Sequence, residues 1–153
     1  MGIWSRLFGK TTKIGDAFFG EMTFMEIPSD PAQSYFECER YFEPSGEKIG
    51  LSVTGSLTGP TQRQKDFFTR VEATYPWLVA KLTPLIEVEF GAWMPLPFIR
   101  SFITEFKPIG LEIPACDKLP IEWEIVFDTV HDVNHIVTVG MLGDEPQYVR
   151  IDG

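Results

Sequence analysis

One long helical pattern, from Gly59-Pro60 to Phe90 with β-type segments on both sides, constrains the fold of this chain more than any other feature. Phe67, Phe68, Val71, Leu78, Val79, Leu82 and Ile86 form one apolar stripe, while Arg63, Lys65, Arg70 and Lys81 lie mostly off it. A helix with one apolar face must bury that face against another layer, and the flanking segments supply a sheet. Thr58-Gly59-Pro60-Thr61 is a start signal, with proline near the first turn and hydroxyls available to cap. Pro76 removes a backbone donor and clashes with the preceding turn, at a cost of about 3 kcal/mol. A kink or break is therefore expected near Tyr75, and Pro84 is a second point at which the helix could end.

Three strand-like stretches precede the helix. Phe18 to Ile27 stops at Pro28-Ser-Asp-Pro31, Ser34 to Glu43 stops at Pro44-Ser-Gly46, and Lys48 to Leu57 leads into the helix. The short turns predict an antiparallel meander. In the second stretch, alternation sets Tyr35, Glu37, Glu39, Tyr41 and Glu43 on a wet face, opposite Phe36, Cys38, Arg40 and Phe42. After the helix, Phe102 to Ile113 reads as a strand interrupted around Pro108-Ile-Gly110. Ile121 to Asp128 alternates Ile121, Trp123, Ile125 and Phe127 against Glu122, Glu124 and Asp128. His135 to Leu142 and Gln147 to Ile151 complete a hairpin through Gly143-Asp-Glu-Pro146. The expected fold is α+β: a mostly antiparallel sheet of six or seven strands, with one long kinked helix (about 60–90) packed on one face.

A chain of 153 residues fits one domain. The expected organisation is a short basic amphipathic segment over 1–15, followed by a single domain over 16–153. Residues 1–15 carry Arg6, Lys10 and Lys13 and no acid, which leaves 10 basic and 22 acidic residues in the other 138, a net −12. A domain that acidic repels phosphate backbones, which argues against nucleic acid as a partner. It suits a basic protein, because complementary potentials speed encounter, and the same charge also favours solubility. Ile3, Trp4, Leu7 and Phe8 lie at helical spacing opposite Arg6 and Lys10, so membrane contact through residues 1–10 is an alternative use of that segment. No run approaches the roughly 18 apolar residues of a membrane span, and no secretory h-region is visible. Two cysteines, Cys38 and Cys116, are too few for a disulfide scaffold, and the expected compartment is the cytoplasm.

Chemical motifs are sparse. His131-Asp-Val-Asn-His135 has two histidines four apart, but they flank an expected turn, and zinc asks for three or four ligands. No metal or cofactor is expected. Gly50-Leu-Ser52-Val-Thr54-Gly55 lacks the second glycine of a nucleophile elbow in its proper place and lies inside a strand. Cys38 is expected to behave as a small hydrophobe, and Asp117 beside Cys116 disfavours its thiolate. Glu122 and Glu124 share a strand face, as do Glu37 and Glu39, and a catalytic pair would need contrasting environments in a cleft. An enzyme or ligand-binding site assembled from such carboxylates with His131 is the alternative to a binding module. Trp77, Trp93, Met94, Leu96 and Phe98 could form an aromatic patch.

The opening Met1-Gly-Ile-Trp-Ser-Arg-Leu-Phe-Gly-Lys10 resembles the start of many small bacterial cytoplasmic proteins. Asp16-x-x-Phe19-Gly20, Gly59-Pro60-Thr-x-x-Gln64, Trp123-Glu-Ile and the terminal Asp152-Gly153 resemble a group of small bacterial domains, some of them assigned as immunity-like proteins of toxin systems. That resemblance implies an immunity-type protein and carries no catalytic residue; together with the acidic domain and the absence of a catalytic signature, the expectation is a non-enzymatic inhibitor of a basic toxin. The candidate partner-binding residues are Glu37, Glu39, Tyr41, Glu122, Glu124 and Trp93.

Overall fold

The computed structural model describes residues 11–92 and 99–153. Eight strands form one sheet in chain order: β1 (Thr11–Asp16), β2 (Gly20–Met25), β3 (Tyr35–Phe42), β4 (Glu47–Thr54), β5 (Phe106–Ile113), β6 (Glu122–Thr129), β7 (Ile136–Leu142) and β8 (Glu145–Asp152). Between β4 and β5 run the long helix α1 (Gln62–Gly91) and the single turn α2 (Phe102–Glu105). Each half of the sheet is an antiparallel meander, and only β4 and β5, joined by the helical crossover, pair in parallel. A parallel pair needs such a crossover because the chain must return to the same end of the sheet. The architecture is α+β, as the alternation predicts, with one strand more than the upper expectation.

The extra strand is β1. Residues 11–15 belong to the sheet rather than to a separate tag, since Thr11 through Asp16 pair with Met25 through Gly20. Residues 1–10, with their amphipathic pattern, lie outside the described residues, as does Trp93–Phe98.

α1 continues through both prolines as one helix of 30 residues, without a break at Tyr75 or an end at Pro84. Both prolines are exposed, so the carbonyls they leave without an intrahelical donor can take water. The opposite face carries the energy. Phe67, Phe68, Val71, Tyr75, Leu78, Leu82, Ile86 and Phe90 are buried, and packing of an amphipathic face is what chiefly holds a helix in a protein. Their rings meet the sheet edge-on: Phe67 with Trp123 at 5.3 Å, Phe68 with Phe42 at 6.0 Å, and Phe90 with Phe106 at 6.2 Å between centroids. Such edge contacts add about 0.5–1.5 kcal/mol each beyond the area buried.

Gln64 fixes where the helix begins. Thr61 and Gln64 form a reciprocal capping box. The buried Gln64 amide also donates to the carbonyls of Thr54, at 2.6 Å, and Pro114, at 3.0 Å. One side chain thus ties the helix start to the ends of β4 and β5, the two strands that must lie side by side. The interruption expected near Pro108 is a register shift between Pro108 and Gly110. The last hairpin turns on Gly143-Asp144 alone, with Gly143 at φ 59°, while Glu145 and Pro146 already belong to β8. A positive φ at the first loop residue is what a two-residue hairpin of the II′ kind requires.

Candidate functional site

The helix covers one face of the sheet and leaves the other open. On β3 the alternation holds: Phe36 and Phe42 are buried, whereas Glu37, Glu39 and Tyr41 are exposed. Arg40, on the covered side, lies over the Phe18 ring at 3.9 Å and donates to the Phe18 carbonyl. That cation–π contact explains how a charge sits among phenylalanines. On β6, Trp123 and Ile125 are buried under the helix, and Glu122 and Glu124 point away from it.

Register assembles the open face. Glu37 pairs with Ser52, Ser52 with Glu112, Glu124 with Gly140, and Gly140 with Tyr148. One row beside it, Glu39 pairs with Gly50, Gly50 with Gly110, and Gly110 with Val126. Two glycines side by side leave a bare backbone floor at the middle of the sheet. Around it lies a shallow depression of about 860 Å³, lined by Glu21, Glu37, Glu39, Glu112 and Glu124, with Lys48 the one basic residue in its lining. A second depression of about 930 Å³ adjoins it and shares Glu112 and Glu124, adding Glu122, Gln147 and Tyr148. The sheet therefore gathers six glutamates, from β2, β3, β5 and β6, onto one surface.

Desolvation against the sheet, and then the charge of Glu124, hold the Glu112 carboxyl above its ordinary value. Glu124 accepts a hydrogen bond from the Tyr148 hydroxyl at 2.7 Å, and Arg150 approaches it at 3.8 Å. That bond holds the Tyr148 phenol above its ordinary value. Gly140 makes the arrangement possible, because a Cβ there would lie 2.2 Å from the Tyr148 ring. Tyr148 packs over the glycine and donates its hydroxyl to Glu124.

The remaining chemical candidates lie elsewhere. His131 Nε2 meets Glu105 Oε1 at 2.8 Å, and His135 Nδ1 meets Asp132 Oδ2 at 2.7 Å, so each histidine has its own carboxylate. His131 lines neither depression, and the structure does not bring it to Glu122 or Glu124. Among the described residues, no group of three or more His, Cys, Asp or Glu could hold a metal ion. Burial pushes the Cys38 and Cys116 thiols up to about 11, so both stay protonated near neutrality. Trp93 lies outside the described residues.

Of the partner-binding candidates, Glu37, Glu39 and Glu124 meet around the glycine floor, Glu122 joins through the second depression, and Tyr41 is 55% exposed at the β3 end. Sequence reasoning missed Glu112, Tyr148 and the floor itself. Glu112 had a signal, since it alternates with Leu111 and Ile113, but the bulge before it obscures which way the strand faces. Comparison with family models, curated proteins and solved structures found no match to this chain. Among the described residues, no helix is long and apolar enough to cross a membrane.

Proposed function

We propose that this protein is a non-enzymatic binding module, of the immunity-inhibitor type, that takes a basic protein partner on the helix-free face of its sheet. The observation that carries this reading is the row of carboxylates around a glycine floor, where desolvation first and then the neighbouring charge of Glu124 raise the Glu112 carboxyl. Like charges gathered on one face cost stability in the free protein, and an incoming Lys or Arg relieves that cost on binding. The floor of Gly50 and Gly110 leaves room for a long basic side chain to lie against backbone. Tyr41 and Tyr148 at the margins supply the rigid aromatic contact that interfaces favour.

Affinity capture from lysate tests the reading. The tagged chain should retain a basic protein at moderate salt and release it at high salt. A Glu37→Gln, Glu112→Gln, Glu124→Gln variant should lose it while remaining folded. Equal capture by both forms, or no capture by either across growth conditions, would count against the proposal.

A further inference from the structure

The glycines at the middle of the sheet are not covered alike. Gly140 is buried beneath the Tyr148 ring, which a Cβ there would meet at 2.2 Å. Gly50 is exposed, and a Cβ on it would meet only the Ile109 carbonyl, at 3.5 Å. On Gly110 a Cβ would first meet Val126, at 3.7 Å, and the Gly50 carbonyl, at 3.8 Å. None of these nearest atoms belongs to a ring. An aromatic ring laid over a sheet glycine restores packing that the missing side chain leaves out, as Tyr148 does over Gly140. Beside the bare pair, Glu37 and Glu39 join no ion pair among the described residues. The floor thus has room for a ring, and its rim has carboxylates free for bases.

The chain itself carries both. Trp4, Arg6, Phe8 and Lys10 alternate ring with base, and an extended chain sets all four on one side. They precede β1, whose Lys13 already stands on the helix-free face, in register with Thr23 and 3.2 Å from Glu21. Gly9 allows the turn that would bring the segment back over the sheet. Thr11 lies three strands across and four residues along from Gly50. That path is about 20 Å, at roughly 4.8 Å per strand and 3.3 Å per residue. From Thr11 back to Trp4, an extended chain spans up to about 25 Å, whereas a helix would span only about 10 Å. Trp4 therefore reaches the floor only if the segment is extended, and Arg6 then falls beside Glu37 and Glu39.

We propose that residues 1–10 form an extended strap across the helix-free face of their own chain, with Trp4 on the Gly50–Gly110 floor and Arg6 between Glu37 and Glu39. The strap and a basic partner claim the same carboxylates, so a partner must displace the strap. That consequence alone rests on the function proposed above.

Amide resonances of the free, full-length chain test the strap without any partner, so the result is independent of partner capture. Trp4→Ser should shift the resonances of Gly50 and Gly110 and leave those of Trp77 and Val88 on α1 in place. Trp4→Phe keeps a ring and should shift the glycines less. Arg6→Glu should move the glycine resonances toward their Trp4→Ser positions, and so should high salt in the unaltered chain. Dilution should move nothing. Glycine resonances indifferent to Trp4→Ser overturn the inference, as do shifts confined to α1. So do glycine resonances that drift to the Trp4→Ser positions on dilution of the unaltered chain, which would make a second copy's segment the occupant.

Discussion

Asp16 shows how one side chain joins three pieces of the fold. Its carboxylate accepts the backbone N–H groups of Phe18 and Phe19, closing the β1–β2 turn, and pairs with Lys65 of α1 at 3.2 Å. Desolvation opposes ionisation, but those backbone bonds and Lys65 outweigh it and hold the carboxyl below its ordinary 3.8. A depressed folded-state value contributes stability above the ordinary value and loses it as pH falls through the folded one. Asp16→Ala should therefore cost about 1–3 kcal/mol at neutral pH in urea unfolding, with the difference shrinking on acidification. Glu112 has the opposite sign, since its raised value makes the folded state a poorer host for the carboxylate. Glu112→Gln should stabilise the free protein above about pH 4.5, by up to roughly 0.5 kcal/mol, and that gain should vanish below it. Gly140→Ala should push the Tyr148 ring off its seat and break the bond to Glu124. A spectrophotometric titration should then show the phenol falling back toward 10.0.

At the scale of elements, the helix start is the most exposed to a single change. Gln64→Leu would leave the Thr54 and Pro114 carbonyls without their donor in a buried place and would also remove half of the capping box. The expected loss is about 2–4 kcal/mol by chemical denaturation, because each buried unsatisfied group costs about 1–3 kcal/mol. Most elements were legible because their apolar period is strong, as in Trp123, Ile125 and Phe127 of β6. β1 was not legible: Thr11-Thr-Lys-Ile-Gly-Asp16 is an edge strand with a single large apolar residue, so it shows no alternation. The helix does not break at either proline. Propensity prices a proline locally, whereas nine buried side chains on the other face of α1 hold the helix together through it.

For the whole molecule, sequence places Glu37 and Glu39 on a wet face, and Glu122 and Glu124 on another, without saying that the two are one surface. That follows from the parallel pairing of β4 with β5, a contact between segments separated by the entire helix. The glycine floor arises the same way, since Gly50 and Gly110 become neighbours only through that register. Net charge leads only to the expectation of a basic partner, and the register sets Glu21, Glu37, Glu39, Glu112, Glu122 and Glu124 on the face the helix leaves open. The helix-free face and the exposed Trp77 of α1 lie on opposite sides of the molecule's two layers.

Site-specific photocrosslinking in living cells tests the central claim most directly. A benzophenone side chain replaces Tyr41 or Tyr148, both exposed at the margins of the acidic face, or Trp77 on the helix. The expected result is a discrete adduct with a basic protein from Tyr41 and Tyr148, and none with that protein from Trp77. An adduct with the same protein from Trp77 alone, or no adduct from either tyrosine position, would contradict the assignment of the helix-free face as the binding surface.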